Sequence, residues 1–329
     1  MNIVRRSLTL LLALSLLAVP ARAAGSYSDV AEKHWAYASV ERATELGLIG
    51  GVGGGRFGLG QKLTRAEYAL MLCRLMGWTM LKPETGSFAD NQDRSAWYYS
   101  AVETAYANGA LRKIGVNAGV GVTMTREELA SMTIRALGYA SLAGIVQDDC
   151  PYTDVSTNRG YITLAHHMGF MSGVKGTEFL PSGIATREQA ATVLLRVHDA
   201  MNAEIKQEKV SAAPGAVYVE PLDDRSGRVP MCPRAPLEGV YAAALKAGRG
   251  GAVALQTAAF NAATNRTLTA SELKSLLNMS STRVYRSTRY ESSYASRSGS
   301  VVWFEAEQDI AEKVMLCRLL GIKTVYLLQ

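Results

Sequence analysis

Apolar residues in the first two-thirds of the chain recur at helical spacing, in three pairs of segments divided by glycine-rich stretches. The first pair places a helix from Trp35 to Leu46, with Trp35, Val40, Ala43 and Leu46 inward, stopped by Gly47. A glycine-rich loop carrying Phe57 and Leu59 as apolar plugs follows, then a helix from Thr64 to Met76. The second pair sets Phe88-Ala89-Asp90 at the opening turn, Trp97 at the Trp35 position, Gly109 at the Gly47 position, and a helix from Thr125 to Gly138. The third opens at Tyr152-Thr153-Asp154, with Tyr161 and Gly169 at the matching places and a helix from Thr186. Beyond Met201 the pattern changes. Five of the nine prolines lie between Pro214 and Pro236, which reads as a linker. The remainder alternates element types: a helix over Pro236–Ala247, a strand over Gly251–Phe260 and a helix after Thr269 with Leu273, Leu276 and Leu277. Strands over Thr282–Tyr290 and Ser300–Phe304, a helix from Asp309 to Gly321 and a strand over Thr324–Leu328 complete it. The expected architecture is mainly α, followed by a small C-terminal α/β or α+β domain.

The helical pairs are copies. Thr64-Arg65-Ala66-Glu67, Thr125-Arg126-Glu127-Glu128 and Thr186-Arg187-Glu188-Gln189 are spaced 61 residues apart both times, and a further arginine follows at a fixed offset (Arg74, Arg135, Arg196). Threonine with Glu or Gln three residues on is a capping box, worth about 1 kcal/mol per helix. The box asks nothing of the residue after the threonine, yet that residue is arginine each time. A cation at the first helical position opposes the helix dipole. Its threefold recurrence points to another use, since a guanidinium beside free backbone N–H groups suits a carboxylate. The loop Gly50–Gly60 lacks the Gly-Lys-Ser/Thr ending of a phosphate cradle.

Composition narrows the class. At 329 residues, 48% apolar and 19% charged, the chain is ordinary globular material with room for more than one domain. A net charge of +6 without a dense Lys/Arg cluster argues against nucleic acid and suits an acidic polymer. Residues 1–23 read as an export signal: Arg5-Arg6, an apolar run from Leu8 to Val19, and Ala21-Arg22-Ala23. No later segment has the apolar length to span a membrane. Cys73 and Cys317 sit in apolar helical runs as small hydrophobes, while Cys150 and Cys232 lie in loop-like sequence where a pairing stays open. No Cys-x-x-Cys occurs, and adjacent His166 and His167 point about 100° apart on a helix. No metal or cofactor is expected.

His34-Trp35-Ala36, Phe57 and Leu63-Thr64-Arg65-Ala66-Glu67, with the looser copies Met124–Glu128 and Ala185–Gln189, resemble the S-layer homology motif. The resemblance covers residues 26–201, as repeats over 26–80, 86–140 and 150–201, followed by a linker over 202–235 and a domain of unknown role over 236–329. It implies a pseudo-threefold helical unit around three central helices. It also implies grooves between repeats that hold a pyruvylated secondary polysaccharide of the Gram-positive cell wall, with the pyruvyl carboxylate on Arg65, Arg126 and Arg187 beside Thr64, Thr125 and Thr186. Trp35, Trp78 and Trp97 are candidates for stacking on sugars, although the shared helix position of Trp35, Trp97 and Tyr161 favours the core. Glu127 and Glu188 set a second acid beside their arginines, so the groove of Arg65 is the strongest expected seat. The expected function is non-covalent anchoring of an exported protein at the cell surface, with self-association as an S-layer subunit as one alternative.

Val301–Glu305 with the helix and strand after it resembles the closing segment of a family-eighteen chitinase-type barrel. That family's catalytic acidic strand is absent, and about 250 residues are needed for such a barrel. No catalytic residue is assigned. An alternative glycan-acting hydrolase in 236–329 would need paired carboxylates, Glu305 with Glu291 or Glu307, across a cleft.

Overall fold

The structure is a computed structural model and describes residues 27–220, 233–288 and 290–329. The export signal and Cys232 lie outside the described residues. Among the described residues, seven α-helices precede residue 202: α1 (Tyr37–Glu45), α2 (Arg65–Met76), α3 (Tyr99–Ala107), α4 (Arg126–Ala136), α5 (Ala140–Ile145), α6 (Arg159–His167) and α7 (Arg187–Met201). The three helices that follow the Thr-Arg motifs, α2, α4 and α7, form the centre. Each carries a first helix on its flank: α3 on α2, α6 on α4 and α1 on α7. Thus α1 of the first repeat packs on the last helix of the third, and the unit closes on itself.

A ring of backbone hydrogen bonds fixes this closure. Leu63 N–H donates to the Ala185 carbonyl at 3.0 Å, Met124 N–H to that of Leu63 at 2.8 Å, and Ala185 N–H to that of Met124 at 2.9 Å. The three residues are fully buried, as Leu63, Met124 and Ala185 plug the axis. The loops are held by one aspartate each. Asp29 accepts from the N–H groups of Phe57, Gly58 and Leu59, Asp90 from Ala118, Gly119 and Val120, and Asp154 from Phe179 and Leu180, at 2.7–3.1 Å. Phe57 is a buried plug as expected and Leu59 packs partly buried against the core, while Ala118 and Phe179 fill the place of Phe57 in the second and third repeats. Gly47, Gly109 and Gly169 end the first helices with φ of 70°, 75° and 78°, a conformation open to glycine without strain.

Past residue 201 the chain forms β1 (Lys206–Val210), β2 (Val217–Tyr218), α8 (Leu237–Ala247), β3 (Ala252–Gln256), β4 (Phe260–Asn261), β5 (Arg266–Thr267), α9 (Ala270–Leu277), β6 (Arg283–Ser287), β7 (Ser292–Arg297), β8 (Ser300–Phe304), α10 (Glu307–Leu319) and β9 (Thr324–Leu328). The stretch read as linker therefore contributes β1 and β2 to a parallel sheet of order β1-β9-β3-β2, with β1 paired to β9 from Lys206↔Thr324 to Val210↔Leu328. A second, antiparallel sheet runs β5-β4-β8-β7-β6. Taken whole, the described chain is a mixture of helix and strand. "Mainly α" holds for the repeats alone. The barrel resemblance also fails here: β8 pairs antiparallel with β7 and β4, whereas β9 lies parallel between β1 and β3 in the other sheet, so the two are not neighbouring barrel strands.

One apolar core runs through the repeats and on to α8, α10, β3 and β9, while the antiparallel sheet keeps small clusters of its own around Val302 and Trp303. Helix α10 packs on α7, the His167 ring meets the Tyr241 hydroxyl at 2.5 Å, and Arg318 donates to the Met201 carbonyl. Cys73 and Cys317 are buried as expected, and Cys150 is a free thiol. No helix among the described residues is long and apolar enough to cross a membrane.

Candidate functional site

The three motif arginines lie at the three joints between repeats, not at separate surface positions. Arg65 reaches into the second repeat: Nε donates to the Ala118 carbonyl at 2.8 Å and Nη2 to that of Arg112 at 2.6 Å. Arg126 reaches into the third, to the carbonyls of Phe179 at 2.9 Å and Ser172 at 2.8 Å. Arg187 reaches back into the first, to Phe57 at 3.2 Å and Gly50 at 2.7 Å. The side chain leaves the first turn of its own helix to bind its neighbour's loop. This explains an arginine where the dipole disfavours one.

Two joints add an ion pair. Arg65 Nη1 meets Glu128 Oε1 at 2.6 Å, and Arg187 Nη1 meets Glu67 Oε1 at 2.7 Å. These are the capping-box glutamates. In each, Oε2 accepts the N–H of its own cap threonine, Thr64 at 2.9 Å and Thr125 at 3.0 Å, which leaves Oε1 for the arginine of the preceding repeat. The third cap is built differently. Gln189 Oε1 accepts the Thr186 N–H at 3.3 Å, and the Thr186 hydroxyl is buried without a partner. An amide has one oxygen, and here the cap uses it. Its other polar atom is a donor and cannot accept from Arg126. Arg65 and Arg187 are only 6% and 5% exposed, while Arg126 is half-buried.

The neighbouring acids do not act as expected. Glu188 accepts from the Gly60 N–H at 3.1 Å, and Glu127 from the Thr157 hydroxyl at 3.0 Å. The expectation that these acids leave Arg65 the least blunted is therefore reversed, because the neutralising carboxylates are Glu67 and Glu128, one residue further on.

Grooves accompany two of the joints. Beside Arg65 a cleft of about 150 Å³ is lined by Arg112, Lys113, Glu128, Ser131 and Arg135. Arg135 lies over the Tyr161 ring, and its pKa is lowered by burial. Beside Arg126 a cleft of about 190 Å³ is lined by Trp35, Ser172, Gln189, Thr192 and Arg196. Burial lowers the pKa of Arg126, while the nearby Tyr152 and Asp154 favour its charge. The tryptophans are not core: Trp35 is 61% and Trp97 60% exposed, because Ala36 and Val40 fill the inward positions of α1. Trp78 is half-buried against the core at the end of α2. The signal the sequence reading missed was the change from Glu to Gln at position 189. It was visible as a residue, but its meaning depended on a contact with the neighbouring repeat.

In the C-terminal part Glu305 is buried against Lys313 and the Ser292 hydroxyl, with burial raising its pKa to about 7. Glu291 instead joins Arg286, which also holds Asp309 and Glu312, and Glu307 is exposed on the first turn of α10. The geometry does not present Glu305 with Glu291 or Glu307 as a pair flanking a substrate.

Residues 26–69 and 151–191 match the S-layer homology domain. The chain carries S-layer homology domains, which are cell-wall-binding modules. It is 28% identical over 178 residues to an amylopullulanase of Thermoanaerobacterium thermosulfurigenes, covering 51% of this chain and 9% of that protein. It is 31% identical over 118 residues to an S-layer protein of Bacillus thuringiensis subsp. finitimus, covering 36% and 14%. With a cell surface protein of Thermoanaerobacter kivui it shares 27% over 199 residues, covering 57% and 23%. The chain thus spans less than a quarter of these relatives' lengths. The domain and the relatives place it among exported proteins attached at the cell surface.

Proposed function

We propose that the chain anchors an exported protein to the bacterial cell wall by holding secondary cell-wall polysaccharide in the grooves between its repeats. The acidic group recognised is the carboxylate of a pyruvate ketal. The favoured site residue is Arg126, with Trp35 exposed beside it as a stacking face; Arg65 and Arg187, paired with Glu128 and Glu67, build the joints together with the caps Thr64, Thr125 and Thr186. The observation that carries this reading is the cleft at Arg126, where two guanidinium groups, an amide, two hydroxyls and an exposed indole converge without a carboxylate. Charged hydrogen bonds of this kind contribute about 1.5–3 kcal/mol each, and repeated contacts on one polymer multiply them by avidity. The C-terminal part is carried as cargo or as a contact surface. Its sealed Glu305 disfavours a hydrolase that uses that residue.

Co-sedimentation of the mature chain with purified walls tests the proposal. Walls stripped of their secondary polysaccharide should leave the protein in the supernatant. Equal pelleting with stripped and intact walls would refute it.

A further inference from the structure

The three joints are built on one plan, so each serves as an internal control for the others. At two of them a buried arginine is neutralised by the glutamate of the next cap. At the third, the residue in that place is Gln189, whose only acceptor oxygen is taken by Thr186 N–H. We propose that Gln189 makes the groove between the second and third repeats the selective seat for a pendant carboxylate on a pyranose, one such group per chain. The inference rests on the wall-anchoring reading above and deepens it.

Three observations carry it. First, Arg126 keeps the two carbonyl contacts that position its guanidinium, yet has no carboxylate at Nη1, where Arg65 and Arg187 have theirs. A ligand carboxylate placed there would complete the pattern that Glu67 and Glu128 complete elsewhere. Second, Arg126 is half-buried where its counterparts are sealed, and the cleft against it adds Arg196, Thr192 and the exposed face of Trp35. Charge, hydroxyl and aromatic face together match an acidic sugar, since an indole takes the apolar side of the ring while the guanidinium takes its acid. Third, the competing groove at Arg65 is richer in basic residues but holds a carboxylate. Glu128 stands in it, Lys113 is drawn to the Ser87 carbonyl, and Arg135 is bonded to Ser131. An incoming carboxylate there meets a like charge at the position of the contact.

The test uses the full mature chain and two probes: a methyl glycoside carrying a pyruvate ketal, and its methyl ester, which keeps the shape and removes the charge. Titration calorimetry should show one acid probe per chain. Gln189→Glu should fold, since the other two joints already have this pairing. It should weaken the acid probe tenfold or more and leave the ester unchanged. Trp35→Ala should weaken both. An unchanged acid affinity in Gln189→Glu, uptake of three acid probes by the native chain, or loss of the acid in Arg135→Ala but not in Gln189→Glu would overturn the inference. If the native chain ignores both probes yet still pellets with walls, this inference falls and the anchoring reading stands. If it does not pellet either, both fall.

Discussion

Glu67 and Arg187, 120 positions apart in the chain, meet at 2.7 Å and close the three repeats into a ring. The contact joins the first repeat to the third, so it locks the order of the whole unit. Arg187 is 5% exposed, and removing the acid leaves a guanidinium buried without its counter-charge. Glu67→Gln keeps an oxygen for the Thr64 cap and loses the second acceptor. It should destabilise the repeat unit by about 3 kcal/mol, read as the midpoint shift in urea unfolding. The same Gln is tolerated at position 189 because Arg126 stays partly in water. A Glu67→Gln protein as stable as the parent would remove the ion pair from the account of the fold.

Acid should loosen the loops before it unfolds the helices. At Asp29 and Asp90 burial works against the charge, but three backbone N–H groups at each outweigh it and hold the pKa below the ordinary 3.8; Asp154 is lowered in the same way by two. A lowered carboxylate pKa contributes stability that is complete above 3.8 and fades as pH falls through the folded value. Amide exchange at Phe57–Leu59, Ala118–Val120 and Phe179–Leu180 should therefore quicken below about pH 4. Asp90→Asn should quicken exchange at Ala118–Val120 already at neutral pH and remove the acid dependence of that loop alone.

What the sequence made legible was local. Thr64, Thr125 and Thr269 announce their helices because the cap and its partner are three residues apart, and α2 runs Arg65–Met76 as expected. What stayed hidden depends on distant neighbours. Trp35 looked like core because its spacing suits a helix face, but the chain turns into α1 only at Tyr37, which leaves the indole outside. Lys206–Val210 read as linker because Lys206, Gln207, Glu208 and Lys209 carry no apolar pattern. It is an edge strand that owes its place to β9, over a hundred residues later, and polar residues are usual at such edges. The three arginines were readable as selected, but their role in the joints was not.

The contact between the repeats and the C-terminal part should depend on His167. Its ring meets the Tyr241 hydroxyl of α8 at 2.5 Å, and burial, with His166 beside it, lowers its pKa below 6.5. A histidine held neutral contributes stability present above 6.5 and lost as pH falls through the folded value. Tyr241→Phe removes the hydrogen bond at a cost of about 1 kcal/mol. Exchange of the α6 and α8 amides should rise in that variant at pH 7, and in the parent on acidification from pH 7 towards 5. Identical protection in both proteins across that range would show that α10 against α7 carries the contact by itself.

Trp35 and Trp97 occupy equivalent positions in adjacent repeats and are almost equally exposed, so they separate binding from stability. Neither ring fills the core. Trp35→Ala and Trp97→Ala should each change unfolding free energy by no more than about 0.5 kcal/mol, as surface substitutions do. Their effects on wall binding should differ. Trp35 lines the cleft of Arg126, where no carboxylate pairs with the guanidinium, whereas the repeat plan, with α3 on α2 as α1 is on α7, assigns Trp97 by equivalence to the joint of Arg187, where Glu67 supplies the counter-charge. Sugar stacking on an indole is weak by itself and gains from a second contact on the same ring. Trp35→Ala should therefore reduce wall pelleting severalfold, and Trp97→Ala should leave it close to the parent. Equal losses would mean that the grooves share the load, and that the difference between Gln189 and its glutamate counterparts does not reach the polymer.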